Sequence, residues 1–459
     1  MPSTDGAAVR QTSAAVRQPS AAVRQPSAAV RQANAAACLM TLRDATGPLT
    51  VTKVGQLTGL SRPTVEAVLA DLGQLGAAGP VLLHDSPARG PGRPARAFRF
   101  VGENALVLGI DTGPHTLTII AADPSGRVLA ESTRSLPGRL TRRQRIDALV
   151  GGVRLLLHSH DLVDRQIRAA QLAVPGILDD HDRIRQSLAV PEWVDVDLRG
   201  ILERRWDCPV GLENDIKLGA LAEHHGGAGQ GAQIMAYLQI GHRVSLALVF
   251  AGAIHQGSHR LAGELGTLRG MRWTTSSRRG QLTWQTGRTA RSVFTRASAG
   301  HAEAAAEIDS FCAEIAPKIA TIVLTIDPDL VVVGGGLSRS GAAFLDPLSR
   351  HVHQLLTTDQ RPPLAASDLG ARGPVIGALG AAFTRFADHI AVIRGTTPPW
   401  PALVRTAADV GQINPPGQSR QARQTRRKKA SWSSVSAPPA STRSCPPHQR
   451  AGRACRCST

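Results

Sequence analysis

Little in this 459-residue chain points outside the cell. It has six cysteines (Cys38, Cys208, Cys312, Cys445, Cys455 and Cys457), with no CxxC pair in the body of the chain, too sparse for a disulfide framework. No apolar run approaches the ~20 residues that a membrane helix needs. The N-terminus alternates arginine with small and polar residues, unlike a secretory signal, so a cytoplasmic protein with no membrane partner is the expectation. Acidic residues are missing at one end: residues 418–459 carry ten Lys/Arg and no Asp or Glu.

What is present is a core and an uneven charge. Hydrophobic residues make up 42% of the chain, enough for two or three domains. The net charge is +18, but residues 1–100 hold eleven basic against five acidic residues, and the stretch between them and the basic end is nearly neutral. A neutral body with basic ends reads as a ligand-handling unit attached to segments that meet a polyanion, most simply nucleic acid.

The N-terminus repeats "AAVRQ" with a period of seven, from Ala7, Ala14, Ala21 and Ala28. One valine per heptad, interrupted by Pro19 and Pro26, cannot sustain a coiled coil, so residues 1–30 read as a disordered arm. A short amphipathic helix is expected from Asn34, ending at Gly47. Next, "GPLTVTKVGQLTGLSRPTVEAVLADLGQLGAA" gives two apolar-faced helices joined at Gly59, with Ser61 as N-cap and Pro63 in the first turn of the second. Two strand-like runs, "PVLLHD" and "RAFRF", flank "SPARGPGRPA". Residues 31–101 therefore read as a winged helix-turn-helix. Ser61, Arg62, Thr64 and Glu66 would face the major groove, and Arg89 and Arg93 of the wing the minor groove, of a double-stranded DNA operator.

From residue 104 to 390 strand-like and helical runs alternate, giving a mixed α/β domain. Residues 391–459 are rich in Pro, Ser and Arg without apolar periodicity and read as a disordered basic tail.

From Arg31 to Asp388 the motifs resemble the ROK family of sugar-responsive regulators and sugar kinases. The resemblance rests on "VRQAN", "TGLSRPTV" and "GRPA" in the head. In the body it rests on "VPGILD" (Val174–Asp179), "PVGLENDIKLGALAEHHGG" (Pro209–Gly227), "AGELG" (Ala262–Gly266) and "VVVGGGLS" (Val331–Ser338), in the family's order. It implies a two-lobed actin/Hsp70-like (ribonuclease H-like) body. It also implies a sugar site in which Asn214 and Glu264 bond hydroxyls and Asp215 occupies the position of the kinase general base.

The departures are informative. Thr267 stands where the family has a zinc-touching histidine, and "RGMRWTTSSRRGQLTWQTG" lacks the family's cysteine cluster, so no metal is expected. "DTGPHT" puts His115 where the family kinases have a phosphate-seating threonine, and Pro114 removes an amide donor. In "GHRVSLA", Arg243, Ser245 and Ala247 replace glycines of a second phosphate loop. "GGGLS" (Gly334–Gly336 onward) survives, though a packing turn would need the same glycines. The expectation is a dimeric transcriptional regulator, more a repressor than an activator, with a sugar or sugar-derived effector, no cofactor and no phosphoryl transfer. The alternatives are an ATP-dependent sugar kinase and a ligand-independent DNA-binding protein.

Overall fold

The computed structural model describes residues 27–82, 96–102, 104–240, 244–267, 273–278, 281–391 and 393–405. The expectations for the arm before residue 27, for Arg89, Arg93 and Arg243, and for the tail beyond residue 405 lie outside these residues.

The chain enters through α1 (Ala28–Asp44), capped by Ser27, whose hydroxyl accepts from the Val30 amide. This helix starts inside the fourth repeat, so that repeat is not part of a disordered arm. Pro26 is the last proline before it, and nothing beyond opposes helix formation. The strand β1 (Leu49–Thr50) leads into α2 (Val51–Thr58), which Gly59 closes in the left-handed conformation at φ 72°. Ser61 then caps α3 (Arg62–Gln74), with Pro63 in its first turn. The strands β2 (Ala78–Leu82) and β3 (Arg96–Phe100) complete an antiparallel sheet of order β1-β3-β2. Cys38, Leu39 and Leu42 of α1 meet Val54, Val65, Leu69, Leu72 and Phe98 in a separate small core.

The body holds two five-stranded sheets built to one plan. In the first, β4 (Ala105–Thr112), β5 (Thr116–Ala122) and β6 (Val128–Ser135) form an antiparallel meander. After α4 (Arg142–Ser159), β7 (Gln166–Val174) pairs parallel to β4. A small hairpin, β8 (Ile177–Leu178) and β9 (Ile184–Gln186), and α5 (Leu198–Trp206) precede β10 (Val210–Asn214), which pairs parallel to β7 and runs straight into α6 (Asp215–Gly226).

The second sheet repeats the arrangement. The strands β11 (Ile234–Ile240), β12 (Val244–Phe250) and β13 (Ala253–Ile254) form a meander. A short pair, β14 (Ser277–Arg278) and β15 (Gln281–Leu282), precedes α7 (Ala290–Ser298) and α8 (Ala302–Ile326). The strands β16 (Leu330–Gly334) and, after α9 (Ala342–Leu355), β17 (Leu364–Ala366) add in parallel. The glycine turn after β16 is a packing turn: a Cβ on Gly335 would sit 2.3 Å from the Ile240 carbonyl oxygen.

The helix α10 (Gly373–Arg385) returns to lie on the first sheet beside α6. The two helices cross at backbone contact, since a Cβ on Gly377 would fall 1.9 Å from the Leu218 carbonyl oxygen. The face of α6 bearing Leu218, Leu221 and Ala222 packs with α10 against the first sheet, and Ala220 packs against Met235, Tyr237 and Ala247 of the second.

Residues 391–405 correct the expectation of a disordered tail from residue 391. After α11 (Ala387–Ile390), Ala391 and Ile393 pack on the small N-terminal core, and Arg43 Nη1 donates to the Thr397 carbonyl at 2.6 Å. The single turn α12 (Trp400–Leu403) then buries Trp400 against Gly380 of α10, stacked 4.6 Å from His225 of α6. Trp400, Leu403 and the half-buried Val404 hold this strap to the body, with Arg372 Nη1 donating to the Val404 carbonyl at 3.2 Å, too few apolar residues to register as periodicity in a Pro- and Thr-rich sequence.

Two glycine-to-alanine changes should therefore move stability in opposite directions. In a helix interior the exchange favours folding by up to ~1 kcal/mol. Gly151 of α4 has open space where a Cβ would go, so Gly151→Ala should raise the denaturant midpoint. At Gly377 the overpacking cost, ~1–3 kcal/mol or more, exceeds that gain, so Gly377→Ala should lower it. Equal shifts of the same sign would contradict the close crossing of α6 and α10.

Candidate functional site

The cleft between the two sheets has a volume of about 530 Å³, within the range of small-molecule sites, about 300–1,000 Å³. His115, Ser187, Asn214 and Asp215 line it from the first lobe, Ser245 and Glu264 from the second. It brings together the three residues expected to bind a sugar.

Asn214 ends β10 and caps α6. Its Oδ1 accepts from the Ile216 and Lys217 amides at 2.9 and 3.0 Å, and its Nδ2 donates to the Gly176 carbonyl at 2.9 Å. One amide N–H remains for a ligand. The expected sugar contact is thus secondary to fixing where the helix begins.

That cap sets Asp215 at the first helical position, where its Oδ1 accepts from the Ile216 amide at 3.0 Å. Burial raises its carboxyl to about 6, against the pull of that amide. Asp111, at the end of β4, is raised to about 8 by burial and by the charge of Asp215. At neutral pH the proton of this pair therefore resides on Asp111, leaving Asp215 the ionised member.

Glu264 sits at the head of a single 3-10 turn (Leu265–Thr267), and Thr267 donates from its hydroxyl to the Glu264 carbonyl at 2.7 Å. Burial raises the Glu264 carboxyl to about 7, opposed by Lys217 and reinforced by Asp215 and Glu213.

A charge network that sequence reasoning missed lies behind these groups. The Lys217 ammonium is buried, donates to Gln256 Oε1 at 2.9 Å and to the Arg260 carbonyl at 3.0 Å, and lies 3.9 Å from Glu264. Glu213 Oε2 accepts from Gln256 and, at 2.7 Å, from Arg260. The only trace in the sequence is a lysine amid small and apolar residues in "NDIKLGALA".

The phosphate elements fall differently from expectation. His115 is exposed at the cleft mouth beside Pro114. Ser245 and Ala247, expected in a loop, belong to β12, paired with Gln239 and Tyr237. The strand is buried on both faces from Leu246 to Val249, and its pairing with β11 carries it back to Val244 at the hairpin turn.

On the N-terminal unit, Ser61 and Thr64 engage each other at the start of α3, their hydroxyl oxygens 2.8 Å apart. Arg62 and Glu66 remain outward as an exposed ion pair of 2.9 Å, weak enough, about 0.3–0.5 kcal/mol, to open for another partner. Beside them a groove of about 690 Å³ runs between α3 and the sheet, with Arg96 of β3 on its far wall, over the Phe98 ring at 5.1 Å. In the sequence Arg96 reads only as part of the strand-like run "RAFRF".

The raised carboxyls set a pH dependence. A carboxyl that holds its proton more tightly folded than unfolded favours the folded state below its unfolded value, near 4, and that contribution is lost as pH rises through the folded value. For Asp111 the loss extends to about pH 8. Asp111→Asn should accordingly show a smaller fall in melting temperature than the parent between about pH 5 and pH 9. An unchanged pH profile would show that Asp111 is not held protonated.

The sequence matches the family model described as the ROK family over residues 107–272 and 271–384. A glucokinase of Halalkalibacterium halodurans is 26% identical over 282 residues, 53% of this chain and 84% of that protein. The DNA-binding transcriptional dual regulator NagC of Escherichia coli is 28% identical over 234 residues, 50% of this chain, and the match spans 56% of the regulator. The crystal structure of a ROK family transcriptional regulator, homolog of the E. coli MLC protein, shares the fold. It aligns over 82% of this chain and 98% of its own, with a TM-score of 0.57 at 17% identity. With both sheets in place and the family model matched along the body, the chain belongs to the ROK family.

Proposed function

We propose that this chain is a DNA-binding transcriptional regulator, a repressor, whose N-terminal unit is a winged helix-turn-helix and whose ROK body holds a sugar or sugar-derived effector. The observation that carries the reading is the unit itself. A tight turn at Gly59 joins α2 to α3, and α3 holds Arg62 and Glu66 exposed along a groove that Arg96 lines from the sheet. The extent of the likeness to the regulator structure, 82% of this chain, supports it. Residues 104–390 cannot fill that share by themselves. Paired heads on a homodimer would read a symmetric operator.

In this reading the effector's hydroxyls donate to Asp215 and Glu264 across the cleft. A ligand bound from both sides favours the closed arrangement of the lobes. The strap of residues 391–405 links the body to α1, so lobe position bears on the seat of the head.

Phosphoryl transfer is absent from the proposal because Pro114 and His115 occupy the first phosphate turn. One observation favours the kinase reading instead: Asp215, ionised with its carboxyl raised to about 6, has the proton affinity that a general base requires. The two separate in an assay of ATP-dependent phosphorylation of glucose and N-acetylglucosamine. The proposal expects no turnover above a no-enzyme control. Turnover abolished by Asp215→Asn would establish the kinase.

The DNA-binding surface has its own test, a titration against a randomised operator library at two salt concentrations. Arg62→Ala should cost ~1–3 kcal/mol on the preferred sequence and relax preference at one position, as for a base contact. Arg96→Ala should weaken all sequences alike and lower the salt slope by about one, as for a phosphate contact. Parent-like binding by both variants would overturn this assignment of the head.

A further inference from the structure

The cleft has a second kind of wall, which hydroxyl groups do not use. Beside the carboxylates of Asp215 and Glu264, it is lined by Ile177 and Leu188 from the first lobe and by Val244, Leu265 and Trp273 from the second. Leu188 is 66% exposed. A bare hexose, with about a dozen non-hydrogen atoms, is smaller than the drug-sized ligands that such volumes hold, and it offers these side chains little apolar surface.

Trp273 is the largest of the five, and the backbone that follows it is clamped. The Thr274 hydroxyl and the Thr275 amide both donate to the Glu314 carboxylate of α8, and the Ser276 amide donates to Thr274 Oγ1 at 2.9 Å. The indole is half-buried and packs on the core of the second lobe. Its Nε1 is buried, so the part of the ring that reaches the cleft is carbon. A ring held in this way offers contact area and a preferred stacking geometry to a flat apolar group, and loses little freedom when that group binds. The carboxylates do the opposite: they accept hydrogen bonds and have nothing to offer a hydrocarbon.

We propose that the effector is a glycoside, a sugar whose hydroxyls meet Asp215 and Glu264 and whose aglycone is an aromatic group packed on Trp273, which makes Trp273 a specificity-determining residue of the cleft. The inference rests on the sugar reading of the cleft given above. A second sugar ring in place of the aglycone is a poorer match, since its hydroxyls would lose water against apolar walls without gaining partners there.

The test is calorimetric titration of the full chain with paired phenyl and methyl glycosides of glucose, galactose, mannose and N-acetylglucosamine, and with phenol alone. In at least one pair the phenyl member should bind about tenfold more tightly than the methyl member, or better, for the apolar area it buries. Phenol alone should bind far more weakly than that phenyl glycoside. Trp273→Ala should remove the phenyl advantage while leaving the affinity for the methyl glycoside within about twofold of the parent, and Trp273→Phe, which keeps a ring, should retain most of it. If Trp273→Ala does not fold, 5-fluorotryptophan NMR of the parent serves instead, with the Trp273 signal assigned through Trp273→Phe and expected to move further with the phenyl glycoside than with its methyl partner. Equal binding within every pair, a phenyl advantage that survives Trp273→Ala, or a Trp273 signal that both members move alike overturns this inference and leaves the sugar reading standing. Binding by no glycoside, or by phenol as tightly as by the phenyl glycosides, overturns both.

Discussion

The contact on which the rest depends is the crossing of α6 and α10, where the chain at Gly377 lies directly on the carbonyl of Leu218. It lets one helix serve both halves of the body. Leu218 and Leu221 of α6 pack with α10 on the first sheet, while Ala220 packs on the second. Because β10 enters α6 without a connecting loop, the start of that helix is fixed by the sheet, and Asn214 and Asp215 inherit the position. The cleft opens at the first turn of this shared helix.

Electrostatics then set the character of the cleft. Asp111, Asp215 and Glu264 crowd together with their carboxyls raised, and the Lys217 ammonium, buried behind Glu264, keeps the cluster from being wholly acidic. Such a set accepts hydrogen bonds from hydroxyls, as a polyol site needs. The chain from Glu213 through Gln256 and Arg260 to Lys217 stands behind that cluster. Each member is held by at least one other, so the network positions Glu264 without itself meeting the ligand.

Much of this was legible in the residues. Ser61 and Gly59 mark the ends of two helices through capping chemistry that is local, and the strands of the first sheet follow their apolar runs. The strap was not legible, because Trp400 is buried by α6 and α10 and not by its own neighbours. Nor was the network behind the cleft, whose bonds span 39 to 47 residues. Ser245 and Ala247 differ for the opposite reason: the resemblance places them in a glycine loop, while the apolar run from Leu246 to Phe250 and its pairing with β11 make a strand of them. Asn214 was found by resemblance and its hydrogen-bond capacity by structure, which spends most of it on the helix.

The central claim is that the N-terminal unit reads DNA. Selection of bound fragments from random double-stranded DNA by the full-length protein, followed by sequencing, tests it without knowledge of the effector. The account predicts enrichment of an inverted repeat whose half-sites lie one helical turn, about 10 base pairs, or a multiple of it apart. A bound pool with the same sequence composition as the input would contradict it.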